Sequence, residues 1–176
     1  KTASISRFFR IFARHILRIY LPQEQHNNST LTTTPFHTDK TTMTYEIMAP
    51  VGSREAFAAA LKAGAGSIYF GIESLNMRSH SASKFTIEDL HDIAAQCEEK
   101  GVKSYLTVNT IIYGEDLALM RKICDAAKEA NISAVIAADV AVLSYCRTIN
   151  QEVHLSTQLN ISNEEALRFY SAFADV

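Results

Sequence analysis

The sequence is short of the features that announce common chemistries. It holds three cysteines, Cys97, Cys124 and Cys146, and no CxxC spacing, so no metal-binding signature is visible. An odd number of thiols on helix-like segments suggests reduced, packed cysteines and a cytoplasmic protein. No run of 18 or more apolar residues occurs, so no membrane-spanning helix is indicated. The turn after the first strand pattern is "APVGSRE", which lacks the GxGxxG of a dinucleotide site. No Ser-His-Asp or Cys-His arrangement can be assembled from spacing. The whole-chain charge of −2 excludes little, because its distribution is uneven.

The first 43 residues carry a net +4 and the rest a net −6. Arg7, Arg10, Arg14 and Arg18 form one basic stripe at helical spacing, with Phe8, Phe12, Ile16 and Ile19 on other faces. A Ser/Thr/Asn-rich stretch follows Pro22 and reads as linker. Residues 1–42 therefore read as a basic amphipathic, Ser/Thr-rich extension outside the fold. Two origins stay open. It is translated or appended sequence upstream of a start at Met43, or it is a transit or membrane-surface segment.

Residues 43–176 alternate strand and helix patterns. "YEIMAP" (45–50), "SIYFGI" (67–72), "KSYLTVN" (103–109), "AVIAAD" (134–139) and "VHLSTQ" (153–158) read as strands. Helical patterns separate them, with Ser53, Thr86 and Ser162 as caps and Gly64, Gly101 and Asn131 as stops. Asp175-Val176 looks like the start of a sixth strand. Successive βα units imply parallel strands and right-handed crossovers. The fold class is α/β, a partial (β/α)8 TIM-type barrel of about five βα units. A complete barrel needs about 250 residues, so the chain is expected to stop partway round.

In a parallel barrel the site gathers where the strands exit. The exits here are rich in amides, hydroxyls and a carboxylate: Asn109 and Thr110, Asp139, then His154, Ser156 and Gln158. Arg78, in the long loop after the second strand, is placed to clamp an anion. Each has a plainer reading. Asp139 also suits a helix cap, Asn109 and Thr110 suit loop backbone, Arg78 suits solvent, and His154 suits a core histidine at the start of its strand. The substrate-binding candidates are Asn109, Asp139, Ser156, Gln158, Arg78 and His154. No catalytic residue and no metal ligand is assigned.

"YEIMAPVGSREAFAAALKAGAGSIYFG", "NMRSHSASKFTIEDL", "GVKSYLTVNTI" and "VHLSTQLNISNEEALRFY" together resemble the N-terminal half of the peptidase U32 family, the collagenase-like peptidases. That family has a similar "LLAPAG" strand, then "GADAVYLG", an "LRA…NF" loop, "VTVNT", and "HLSTQ" followed by Asn. Gly66 stands where the family commonly has an acid, and Arg78 aligns with the loop arginine. The resemblance implies a parent enzyme that is a peptidase or a hydroxylase, members of the family hydroxylating a tRNA uridine, a ribosomal RNA cytidine or the ubiquinone ring, and two activities are carried forward. One is iron–sulfur-dependent hydroxylation of RNA, above all a tRNA uridine, with prephenate as a co-substrate. The other is collagenase-like proteolysis. The family's cluster-binding cysteines would lie beyond Val176, so a 4Fe-4S cluster is expected of the parent and not of Cys97, Cys124 or Cys146. Residues 1–176 alone are expected to be inactive and to self-associate through unpaired strand edges.

Overall fold

The structure is a computed structural model that describes residues 46–72, 75 and 85–176. Arg78, His80 and the extension 1–42 lie outside the described residues. All described residues belong to the compact unit Met43–Val176.

Five strands form one sheet: β1 Met48–Pro50, β2 Ser67–Gly71, β3 Lys103–Val108, β4 Ala134–Ala137 and β5 Val153–Leu155. Five helices alternate with them: α1 Arg54–Lys62, α2 Leu90–Glu99, α3 Leu117–Glu129, α4 Val140–Thr148 and α5 Glu164–Tyr170. Every strand pair is parallel, and the spatial order is β1-β2-β3-β4-β5. A doubly wound sheet reverses its order at a switch point. This sheet never reverses, so each crossover delivers the chain to the next neighbour, as in an arc of a barrel. Val176 extends the series. Its N–H donates to the Val153 carbonyl at 3.3 Å and its carbonyl accepts from Leu155 N–H at 2.7 Å. Bonds to the residues on either side of His154 are the parallel pattern, so Val176 makes the first step of a sixth strand.

Local chemistry explains the boundaries. The Ser53 hydroxyl accepts from Ala56 N–H at 3.2 Å and starts α1, and Gly64 follows it with φ +77°. Asp89 accepts from both the backbone and the hydroxyl of Thr86, which closes the expected capping box around a 3-10 turn that leads into α2. Asn131 and Asn150 follow α3 and α4 with φ 59° and 53°. Asn tolerates this left-handed backbone better than most side chains do.

Several expected boundaries move, and β2, β3 and β4 end one or two residues early. The first strand is confined to Met48–Pro50. Asn163, not Ser162, caps α5: the helix starts at Glu164, and Asn163 Oδ1 accepts from Ala166 N–H at 2.9 Å. The fifth strand ends at Leu155 and does not run to Gln158. The Ser156 side chain caps a 3-10 turn over Thr157–Leu159, and Asn160 ends that turn with φ 51°.

Register divides the sheet into two faces. Ile68, Phe70, Leu106, Val108, Val135, Ala137 and Val153 share one face and are essentially buried. They join Phe57, Leu90, Ile123 and Leu143 from the helices in one core. Each of the larger side chains here contributes about 1.5–3 kcal/mol on burial, so this layer carries the stability. The opposite face is mixed. It presents Ser67, Tyr69, Lys103, Tyr105, Thr107, Ile136 and His154.

Candidate functional site at the strand exits

The mixed face has two levels. At the strand starts, Glu46 accepts from Lys103 Nζ at 3.0 Å and from the Tyr105 hydroxyl at 3.1 Å. The Lys103 ammonium holds the Glu46 carboxyl below its ordinary value. Burial, and then the Glu46 carboxylate, push the Tyr105 phenol up. The His154 ring lies 4.9 Å from the Tyr105 ring, and its Nε2 is 2.9 Å from Glu152 Oε1. This charged level escaped sequence reading, because Glu46 meets partners 57 and 59 residues away. A pairing of strand registers was needed to find it.

At the strand exits, Asn109 and Ser156 come together across β4. Asn109 Nδ2 donates to Ser156 Oγ at 3.4 Å, and Gln158 N–H reaches the same oxygen at 3.3 Å. Ser156 is 7% exposed, so a solvent role is excluded. The Thr107 hydroxyl donates to the Phe70 carbonyl at 3.0 Å. The Thr110 hydroxyl oxygen is buried without a hydrogen-bond partner among the described residues.

Asp139 takes the plainer of its two readings. Oδ1 accepts from Ala141 N–H at 2.8 Å and caps α4, and Oδ2 accepts from Ile112 N–H at 3.1 Å. One carboxylate thus ties the β3–α3 loop to the start of α4. Gln158 is exposed on the 3-10 turn, outside the row that alternation predicts for it. His154 is the middle residue of β5, in register with Ile136, and its ring meets Glu152 and Tyr105 rather than the Asn109–Ser156 pair. The structure therefore brings Asn109, Ser156 and the backbone of Gln158 together, with Asp139 supporting the neighbouring loop.

A concavity of about 580 Å³ opens at the other end of the sheet, beside the α3–β4 and α4–β5 turns. Its charges are committed: Arg147 pairs with Asp175 at 3.2 Å, and Lys128 Nζ donates to the Asn150 carbonyl at 2.6 Å.

The exits offer an amide and hydroxyls, which orient a polar ligand through hydrogen bonds. Among the described residues no group of three His, Cys, Asp or Glu side chains is arranged to hold a metal. Nor do the thiols fit a four-iron cluster. Such a cluster takes four cysteine thiolates, and the three here are buried in the helix layer. No described helix is long and apolar enough to cross a membrane.

A parallel α/β sheet in sequential strand order, with one apolar face, one mixed face and hydrogen-bonding exits, defines the class of protein. Residues 52–174 match Peptidase family U32, and the chain belongs to that family. It is 69% identical over 132 residues to a collagenase of Porphyromonas gingivalis strain W83, covering 75% of this chain and 32% of that protein. It is 33% identical over 127 residues to tRNA hydroxylation protein P1 of Bacillus subtilis, covering 71% of this chain and 30% of that one. The solved structure of the U32 peptidase Mk0906 shares the fold with TM-score 0.59 and 12% identity, over 88% of this chain and 60% of that one. The chain spans about a third of the length of the curated relatives it matches.

Proposed function

We propose that residues 43–176 are the substrate-orienting part of an enzyme that hydroxylates RNA, with a tRNA uridine as the target. The observation that carries this reading is the Asn109–Ser156 pair, an amide and a hydroxyl 3.4 Å apart at the strand exits. Such groups match the donor and acceptor edge of an unstacked base, which is how RNA is read in single-stranded regions. The ionisable side chains nearby point to other tasks. Asp139 is held by two backbone amides, and His154 is paired with Glu152 at the far level. The 33% identity to a tRNA hydroxylation protein supports the same reading. RNA and a small anionic co-substrate such as prephenate are the proposed partners. Any iron–sulfur cluster would be held by residues other than these three cysteines.

A second reading is proteolysis, favoured by the 69% identity to a protein named collagenase. The two separate cleanly. A strain lacking the full-length gene should lose 5-hydroxyuridine from its tRNA by nucleoside mass spectrometry. The intact gene should restore it, and a gene carrying Asn109→Ala with Ser156→Ala should not. Unchanged tRNA in the deletion strain, with gelatin cleavage by the purified full-length protein, would overturn the hydroxylation reading in favour of the peptidase. A third reading, that residues 1–176 are inactive alone, predicts neither activity from this chain by itself.

A further inference from the structure

Cys124 on α3 and Cys146 on α4 are fully buried, and their sulfurs lie 3.8 Å apart. Met120, one turn before Cys124, places its thioether 3.9 Å from the Cys124 sulfur. The two helices are also tied beside the thiols. The Tyr145 hydroxyl donates to the Asp125 carboxylate at 2.9 and 3.0 Å, and the Arg121 guanidinium lies 5.8 Å from the Tyr145 ring centre. Cys124 and Cys146 each adjoin a member of that tie in sequence. Such packing holds the sulfurs as a fixed pair. A disulfide requires about 2.05 Å between the sulfurs, so the two side chains must rotate toward each other before a bridge forms.

We propose that Cys124 and Cys146 are an oxidation site, a dithiol that a peroxide converts to an α3–α4 disulfide. One thiolate attacks a peroxide oxygen, the O–O bond breaks, and a sulfenic acid and water form. The second thiolate attacks that sulfur, the S–S bond forms, and the sulfenic oxygen leaves as water. The pair loses two electrons and two protons, and one hydrogen peroxide becomes two waters. Burial sets the rate, because peroxide must enter through local opening of the two helices. The pairing of the sulfurs sets the product, because the second thiol traps the sulfenic acid before further oxidation. The start of α4 is in turn tied to the β3–α3 loop through Asp139 and Ile112. Cys97 on α2 is just as buried but meets no second thiol among the described residues, which makes it the control.

The test treats the whole 176-residue chain with hydrogen peroxide well below its melting temperature. Remaining thiols are then alkylated in denaturant and mapped by mass spectrometry. The expected product has lost 2 Da, joins the peptides of Cys124 and Cys146, and leaves Cys97 alkylated. Dithiothreitol should reverse it. Cys97→Ser should keep the bridge, and Cys146→Ser should abolish it. The wild-type peptide map decides the matter even where a variant fails to fold. Three alkylated thiols after treatment, a bridge to Cys97, or sulfinic acid at either position would each overturn the proposal and leave the thiols as small core side chains.

Discussion

The imidazole of His154 lies 4.9 Å from the ring of Tyr105, tilted by 52°, although the two stand on β5 and β3 with β4 between them. The register neighbour of Tyr105 on β4 is Ala134, and its methyl group leaves the space in which the rings meet. A contact of this kind contributes about 0.5–1.5 kcal/mol beyond simple burial. His154→Ala should therefore destabilise the fold by about 1–2 kcal/mol in urea unfolding while leaving ligand binding at the exits intact. Binding lost without a change in stability would return His154 to the site.

Asp139 is held by two amides from different segments, so its removal should act on both. Asp139→Ala loses a helix cap, worth about 0.5–2 kcal/mol, together with the anchor of the Ile112 loop. Asp139→Asn keeps an acceptor oxygen for the cap and should recover much of the loss. The check is denaturant unfolding of both variants. Equal stability of all three proteins would show that the carboxylate is dispensable to the fold.

Glu46 has a carboxyl held below its ordinary value of 4.5, chiefly by the Lys103 hydrogen bond. A lowered folded-state value means that the stabilisation is present above the ordinary value and is lost as pH falls through the lower one. Asp89 and Asp92 act in the same direction. The Thr86 backbone chiefly lowers Asp89, the Gln96 side chain chiefly lowers Asp92, and Arg54 contributes to both. Unfolding free energy should accordingly fall as the solution is acidified below about pH 4.5. Glu46→Gln should be less stable than wild type at neutral pH and show a smaller loss on acidification. Parallel pH profiles for the two proteins would refute this role.

Gly66 makes a related prediction. A Cβ added there would sit 3.0 Å from Glu46 Cγ, so Gly66→Ala must displace the side chain that Lys103 and Tyr105 hold. The expected result is a loss of stability that shrinks in the Glu46→Gln background. A double-mutant cycle measures that coupling.

Among the described residues β1 pairs with β2 alone, and Ile47 just before it and Met48 within it are 68% and 47% exposed. Unpaired strand edges recruit further strands. The isolated chain should elute larger than a monomer by light scattering, and Ile47→Lys should shift it toward monomer. A monomeric wild-type chain with cooperative melting would show that the edge is already protected.

Much of the arrangement was legible along the chain. Alternating periodicities identified the βα units, and Ser53, Thr86, Gly64 and Asn131 marked helix limits, because caps and left-handed stops act over a few residues. The "VHLSTQLN" segment shows where that reading fails. Its polar residues continue at every second position, yet the strand ends at Leu155. A side chain two residues from its acceptor or donor can fold the backbone into a turn without disturbing the sequence pattern, and Ser156 does so. Ser156 kept its place at the exits, whereas Gln158 became an exposed turn residue.

What the sequence determined by itself is the class of fold and the family, because both rest on local periodicity and on motifs in fixed order. The tertiary structure decided which polar groups share a place. It paired Asn109 with Ser156, turned Asp139 into a support for Ile112, set His154 against Tyr105, and put Cys124 beside Cys146. Those pairs are separated by 22 to 49 residues, and only the register of parallel strands and the packing of neighbouring helices brings them within reach.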